Sequence, residues 1–297
     1  MWIWLTLLYG VLKGVREIVK KKALEKNSTI EVLFLYTVLA FLFVLPDAKN
    51  AVGLEPKYYF YIALKSFVIF LAWIFSFRAI KGMPISLYGV LDLSRVLFAT
   101  ALGVIVLQET LGVWQTAGLI LVSFGLLLLK YHPGMFSKKM LLNKMLLKKQ
   151  TENIERVEPK IVVMAFASCL FNAVSGLLDK ILMKDINSSQ LQFWYLLFLA
   201  LMYLVFIILT RTPIHMGSIL RNYWIWILSI LIVIADRALF LANGIEGSKV
   251  TVMTLLKQSG CVVTILAGRF LFREKNTGHK LVCAAIIIIG IVIGVIT

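Results

Sequence analysis

Eight ionisable residues lie deep inside long apolar segments of this 297-residue sequence, where a charge is costly. They are Lys13, Arg16, Glu17, Asp92, Arg95, Asp236, Arg237 and Lys257. At a lipid-facing position in the middle of a bilayer, each would cost about 2.5–3.5 kcal/mol. We therefore expect these side chains to face a protein interior or a water-filled cavity.

Helical spacing predicts that several of these charges share one cavity. Lys13, Arg16 and Glu17 recur at positions i, i+3 and i+4, so they line one face of a helix. Tyr88 and Asp92 begin a similar stripe on another helix. Five of the eight charges are cationic and three are anionic, which leaves two positive charges over. A substrate with a phosphate or carboxylate group would satisfy them through charge-assisted contacts.

The predicted substrate-binding set is therefore the eight charged residues together with Tyr88. For any one of them the alternative is a structural ion pair that holds the helices together without touching substrate. The carboxylates leave a second function open. A proton-coupled exporter of amino acids, or of cationic and amphiphilic molecules, would use Glu17, Asp92 or Asp236.

Composition indicates the elements that position these charges. Sixty per cent of the residues are apolar, 15% are charged, and the mean hydropathy is +0.90. Soluble domains contain roughly 45–50% apolar and 25% charged residues, so a water-soluble fold and a disordered chain are both excluded. The formal charge of +16 would suggest nucleic acid in a soluble protein. Here many basic residues lie in short connections, where they set membrane orientation, and we predict no nucleic-acid partner.

Ten apolar segments are long enough to cross the ~30 Å of hydrocarbon in a bilayer. They cover residues 2–20, 28–46, 58–80, 84–107, 111–130, 161–182, 190–210, 223–243, 249–272 and 280–297. The first has no basic n-region and no cleavage site, so we interpret it as a span rather than a signal peptide. The long basic stretch 131–160 separates two sets of five. We predict an all-α membrane protein with repeats at 1–130 and 161–297, joined by a cytoplasmic linker.

An odd number of spans in each half inverts the second half relative to the first, as in many secondary transporters. Residues 57–127 align without a gap to residues 222–292, an offset of 165. This offset pairs Glu109 with Glu274. An offset of 160 pairs Ser28 with Ser188. The sequence therefore predicts ten transmembrane helices in two inverted five-helix repeats, with the substrate site at their interface.

Loop charges predict the orientation in the membrane. The connections after the odd-numbered spans are basic, so the positive-inside rule places residues 131–160 in the cytoplasm and both termini outside the cell membrane. Lys20 and Lys65 lie closer to span ends, and we expect both to anchor at the interface by snorkelling. The three cysteines show neither metal spacing nor a disulfide framework. The histidines lie in loops or at span ends without catalytic partners, so we predict no enzyme and no cofactor.

Two related stretches carry a resemblance to a known family. They are SLYGVLDLSRVLFATALGVIVLQETLGVWQTAGLILVSFGLLLL at 86–129 and TVMTLLKQSGCVVTILAGRFLFREKNTGHKLVCAAIIIIGIVIGVI at 251–296. Each contains an element that ends in glutamate, Leu107-Gln108-Glu109 and Phe272-Arg273-Glu274, before a glycine-bearing span. This pattern resembles the drug/metabolite transporter superfamily with two EamA-type domains. The resemblance implies a transporter of monomeric scale that moves a small organic solute by alternating access.

The sequence also departs from that pattern. Many members carry proline near the middle of the fourth and ninth spans, where this chain has Arg95 and Gly260. The branches that transport triose phosphates and nucleotide sugars carry a Lys-Arg pair on the ninth span, but Gln258 follows Lys257 here. Membership of those branches is therefore not implied.

Our leading hypothesis is a secondary active transporter of a small organic anion, working through a central cation-rich cavity. Its expected partners are the substrate, the lipid bilayer, and a coupling proton or counter-anion. The substrate, the direction of transport and the oligomeric state are left open. A lipid-linked substrate flippase and an integral-membrane enzyme are two further hypotheses, and the enzyme has no catalytic constellation in its favour.

Overall fold

The computed structural model describes residues 1–130, 157–273 and 277–295, and within these ranges the chain forms helices and no strands. The first half contains α1 (Trp2–Ala23), α2 (Thr29–Val44), α3 (Pro56–Gly82), α4 (Ile85–Leu91), α5 (Arg95–Leu107) and α6 (Val113–Lys130). The second half contains α7 (Pro159–Leu182), α8 (Ser188–Thr210), α9 (Met216–Leu220), α10 (Tyr223–Gly244), α11 (Val250–Lys257), α12 (Gly260–Phe270) and α13 (Thr277–Val295). Short 3-10 turns occupy Leu45–Asn50 and Asp92–Ser94.

The long helices have the composition of membrane spans. In the described ranges six helical stretches are long and apolar enough to cross a bilayer: α2 with its 3-10 extension, α3, α4–α5, α7, α8 and α10. Helices α6 and α13 contain shorter apolar stretches, and α1 carries interior charges. The all-α membrane fold is confirmed, and helices lie within all ten predicted segments. The count of ten crossings and the domain boundaries stay predictions.

The two halves pack around an approximate two-fold relation. Helix α1 packs against α10, and its counterpart α7 packs against α3, the counterpart of α10. In the same way, α1 packs against α12 and α7 against α5. Helices α2 and α8 contact each other, as do α6 and α13. Exchanging the halves leaves this set of contacts unchanged, which is the property of a self-complementary interface.

Contacts at the helix ends show that the second half is inverted. The Asn222 side chain, at the start of α10, donates to the Ala23 carbonyl at the end of α1 (3.0 Å). The end of α3 at Gly82 lies against Ile161, near the start of α7. Helix α7 therefore begins at the face where α1 and α3 end. We call this the linker face, and the face at which α7 and α10 end the opposite face.

Helix caps correct the alignment of the first spans in each half. Ser28 caps α2 in a reciprocal box with Glu31, and Asn187 caps α8 in the same way with Gln190. The structure thus pairs Ser28 with Asn187, one residue earlier than the sequence alignment. With an offset of 159, Lys180 becomes the counterpart of Lys21.

The two lysines confirm this corrected offset by their contacts. The Lys21 ammonium donates to the Ile80 carbonyl (2.8 Å) at the end of α3, and the Lys180 ammonium donates to the Asn243 carbonyl (2.9 Å) at the end of α10. Because carbonyls at a helix C-terminus lack partners within the helix, a cation there is stabilising. Each lysine therefore joins two helices of its own half.

A break in the fourth span and another in the ninth follow the offset of 165. Helices α4 and α5 are separated at Asp92–Ser94, and α11 and α12 at Gln258 and Ser259. No proline occurs at either break, so tertiary packing rather than a missing N–H group interrupts the helices. Asp92 and Lys257, which are counterparts, both lie at these breaks.

Candidate functional site

A cavity of about 630 Å³ lies between the two halves of the protein. Its charged lining comprises four cations and two carboxylates: Arg16, Lys65, Arg95, Lys257, Asp179 and Asp236. Aromatic side chains, including Tyr9, Trp73, Tyr195 and Phe240, form part of the wall. The stretches of α7 and α10 that line it are near the ends of these helices, so the cavity lies toward the opposite face.

A smaller pocket of about 210 Å³ lies on the other side of the helix breaks. Its polar lining consists of Lys13, Glu17, Tyr88, Asp92 and Thr264. Eight of the nine sequence-predicted residues are thus divided between the two spaces. Lys13, Glu17, Tyr88 and Asp92 line this pocket, and Arg16, Arg95, Asp236 and Lys257 line the large cavity.

The Asp92 carboxylate is held by two cations. The Lys13 ammonium donates to one of its oxygens, and Nη2 of Arg95 donates to the other at 2.7 Å. All three side chains are largely buried. Because Asp92 is at the break between α4 and α5, this cluster ties α1 to both pieces of the fourth span.

The remaining predicted carboxylates also have cationic partners. Asp236 lies 3.4 Å from Nη1 of Arg16, and it accepts a hydrogen bond from the Tyr195 hydroxyl. Glu17 accepts from the Lys20 ammonium at 2.7 Å. The prediction that Lys20 anchors at the interface is wrong: the residue is 4% exposed, because Glu17 one turn earlier neutralises it inside the protein.

Lys257 differs from the other predicted cations. It is 8% exposed, and within the described residues no carboxylate lies within 4.0 Å of its ammonium. The ammonium is 5.7 Å from the centre of the Tyr9 ring, a contact that offsets little of the cost of burying a charge. Arg16 and Arg95 each retain a buried Nε–H group without a hydrogen-bond partner in the described ranges.

Sequence reasoning missed a further ion pair in the cavity. The Lys65 ammonium lies 2.9 Å from the Asp179 carboxylate and 3.7 Å from the centre of the Tyr195 ring. Lys65 is 2% exposed, so the prediction that it anchors at the interface is wrong. The available signal was the position of Asp179 inside the predicted segment 161–182. By the criterion applied to the other eight charges, it should have been included.

Arg237 is not brought together with the other predicted residues. Its guanidinium donates to Gln192 (2.6 Å), to Ser189 (2.7 Å) and to the Asp47 carboxylate. The side chain is 29% exposed and lines neither the cavity nor the small pocket. Adjacent residues on a helix point in different directions, so Asp236 faces the cavity while Arg237 faces α8.

Comparison with known proteins identifies the family. The sequence profile described as the EamA-like transporter family matches residues 1–131 and 159–296. The chain belongs to this family. One solved crystal structure shares the EamA fold of this chain with a TM-score of 0.68 at 14% identity, covering 98% of this chain and 95% of the other. No curated protein matches the chain.

Family membership confirms the expected drug/metabolite transporter class. An EamA-like protein with several long apolar helices is an integral, multi-pass membrane protein. The family is one of membrane transporters of small molecules, and it points to transport rather than to catalysis.

Proposed function

We propose that this EamA-like protein is a secondary active transporter that moves a small organic anion by alternating access. The observation that carries the proposal is the buried Lys257 ammonium, which faces the cavity with no carboxylate within 4.0 Å in the described part of the chain. An uncompensated charge in a low-dielectric site is costly. An anionic substrate supplies the missing charge.

The other charges support this proposal through their pairing. In the described structure Asp92, Asp236, Asp179 and Glu17 each lie within 4.0 Å of a cation. Once these pairs are formed, the cavity retains a positive excess. The free Nε–H groups of Arg16 and Arg95 supply donors for the oxygens of a carboxylate or phosphate.

The cavity dimensions and lining support a substrate with an apolar body. Its space of about 630 Å³, which includes the opening to solvent, is three times the about 210 Å³ of the small pocket. Trp73, Tyr195 and Phe240 supply aromatic surface beside the charges. A carboxylated or phosphorylated metabolite that carries a ring or an alkyl chain matches both features.

Proton-coupled export of amino acids or cationic molecules is the second candidate. One observation favours it: oxygen Oε2 of Glu17 is buried and has no hydrogen-bond partner in the described ranges. A carboxylate with a free oxygen is a candidate proton acceptor. The pairing of Asp92 and Asp236 with arginine and lysine counts against their use as cation sites.

A transport panel separates these two functions. Purified protein is reconstituted into liposomes, and initial uptake is measured for succinate, citrate, phosphoenolpyruvate, inorganic phosphate, phenylalanine, lysine and tetraphenylphosphonium, with and without a pH gradient. We expect uptake of at least one anion above that of protein-free liposomes, and none of the two cations. Uptake of phenylalanine, lysine or tetraphenylphosphonium driven by a pH gradient and abolished by Glu17→Gln, without anion uptake, would reverse the assignment.

We also propose an orientation of the protein in the cell membrane. Loop charge supports an orientation with both termini outside the cell membrane and the linker face toward the cytoplasm. In that orientation the large cavity lies in the outer half of the protein. We propose that one copy of the chain forms the complete pathway, since residues from both of its halves line the cavity.

A further inference from the structure

The large cavity and the small pocket occupy repeat-related positions. With the offset of 159 for α1 and α7, Lys13 and Glu17 in the small pocket correspond to Asn172 and Gly176 in the large cavity. With the offset of 165 for the broken spans, Thr264 corresponds to Ala99, which also lines the large cavity. Inverted repeats place one half-pathway at each face of the membrane. The large cavity and the small pocket are therefore equivalent half-pathways, the first expanded and the second contracted.

The contracted half-pathway contains its own counter-charge. Asp92 has both Lys13 and Arg95 as ionic partners, and little space remains around the three side chains. Close packing of glycines adds to the contraction: a Cβ atom on Gly14 would lie 2.6 Å from the Gly260 carbonyl oxygen. On this side of the protein the chain itself supplies all the charges that neutralise one another.

In the expanded half-pathway the two lining carboxylates, Asp179 and Asp236, already have other cationic partners, Lys65 and Arg16. Lys257 is the counterpart of Asp92, and the positions that correspond to Lys13 and Arg95 hold Asn172 and Gly260. Neither residue is charged, so contraction of the large cavity would remove water from Lys257 without bringing an unpaired carboxylate to it. Desolvating a charge without a partner is strongly unfavourable.

We propose that an anionic group bound between Lys257 and Asn172 is required for the large cavity to close, so that the empty protein stays open toward the opposite face. This inference rests on the proposed transport of an anion. In the closed state the bound anion supplies to Lys257 the counter-charge that Lys13 supplies to its counterpart Asp92 in the small pocket. Because the empty carrier does not close, transport takes the form of exchange of one anion for another.

We call this requirement for a bound anion the lock. Cys261 is a native cysteine that reports on it. It lines the small pocket and is buried, so it reacts with N-ethylmaleimide only when that pocket opens, that is, when the large cavity closes. Its modification rate is measured by mass spectrometry for the purified wild type, Lys257→Gln and Lys257→Met, with chloride as the sole small anion. Lys249→Gln, which neutralises an exposed lysine just before α11, is the control. Thermal unfolding of each variant confirms that it is folded.

We expect both Lys257 variants to react roughly tenfold faster or more than the wild type, the change that corresponds to one charge-assisted contact. Lys249→Gln keeps the wild-type rate. Inorganic phosphate, succinate or citrate accelerates the wild type and leaves the Lys257 variants unchanged. Equal rates for wild type and the folded Lys257 variants in chloride overturn the lock, even if anions are transported.

Transport by the same proteins keeps this outcome separate from failure of the proposed function. For the panel anion with the highest uptake, liposomes preloaded with that anion take up label faster than empty liposomes, and Lys257→Gln removes the difference. Equal uptake into empty and preloaded liposomes by the wild type contradicts obligatory exchange while leaving anion transport intact. Fast modification of Cys261 in the Lys257 variants, with no anion transported by the wild type, upholds the lock and contradicts the anionic substrate.

Discussion

Asp92 and Lys257 occupy the same position in the two inverted halves, yet only Asp92 has ionic partners in the described structure. Asp92 pairs with Lys13 and Arg95, whereas no carboxylate lies within 4.0 Å of the Lys257 ammonium in the described ranges. The same structural position therefore holds a neutralised anion in one half and an uncompensated cation in the other. The two residues should respond differently to loss of their charge.

Loss of the Asp92 charge should destabilise the protein. Asp92→Asn leaves the buried Lys13 and Arg95 without a counter-charge, at an expected cost of about 3–5 kcal/mol in the free energy of unfolding. Denaturant-induced unfolding in detergent measures this loss. Glu25→Gln, which removes an exposed pair with Lys22, is the control and should cost at most about 1 kcal/mol. Equal stability of the two variants would show that the Asp92 cluster is not structural.

Close approach of the glycines on α1 and α12 gives a second test. In Gly14→Ala the new Cβ would lie 2.6 Å from the Gly260 carbonyl oxygen and 2.7 Å from Cβ of Val263, so α1 or α12 must shift. We expect a loss of about 1–3 kcal/mol in stability. Gly176→Ala, the matched helical control, meets no atom within 4 Å and should be neutral or stabilising. A neutral Gly14→Ala would contradict the tight helix crossing.

Glu109 connects the two halves at a helix start, which gives a third test. Oε1 of Glu109 accepts from the Val250 N–H group at 2.8 Å, and Val250 is the first residue of α11. Glu109→Ala should cost about 0.5–2 kcal/mol, as expected for loss of an N-terminal cap. Glu55 is the control, because it is the residue immediately before α3 and its side chain makes no capping hydrogen bond there. A larger loss of thermal stability for Glu55→Ala than for Glu109→Ala would refute the capping role.

Residue type and spacing predicted most of the fold. Apolar segments of bilayer length located the helices, and the 165-residue offset anticipated that the fourth and ninth spans are equivalent. The same offset pairs Gln108 with Arg273, and the structure shows left-handed backbone at both residues, after α5 and α12. The predicted offset of 160 for the first spans was wrong by one residue. Asn and Ser are both good caps, and matching identical residues pairs Ser28 with Ser188 rather than with Asn187. The role of Glu274 lies outside the described residues.

The candidate site was predicted only in part. A charge inside an apolar segment is a strong signal, and four of the nine predicted residues line the large cavity. The pairing of cations with carboxylates depends on how helices distant in the sequence cross one another. The periodicity of the sequence carries no information about these crossings. That dependence explains why Lys65 and Asp179 were missed as a pair. It also explains why Arg237 was placed in the cavity.

The orientation in the membrane is open to a direct test. A cysteine at position 137 (Ser137→Cys) should be protected from an impermeant thiol reagent in intact cells, since the positive-inside rule places residues 131–160 in the cytoplasm. A cysteine at the C-terminus (Thr297→Cys) should react. Permeabilised cells provide the control, in which both should be labelled. Reaction of Ser137→Cys alone in intact cells would reverse the orientation.

The central claim is that Lys257 binds the anionic group of the substrate. The most direct test measures anion affinity and thermal stability of purified wild type and Lys257→Met, using the panel anion with the highest uptake. Because Lys257 has no carboxylate partner in the described structure, its removal should leave stability unchanged or raised. We expect the anion to bind roughly ten- to a hundredfold more weakly, the loss of one charge-assisted contact of about 1.5–3 kcal/mol. Wild-type affinity combined with a large loss of stability would contradict the account.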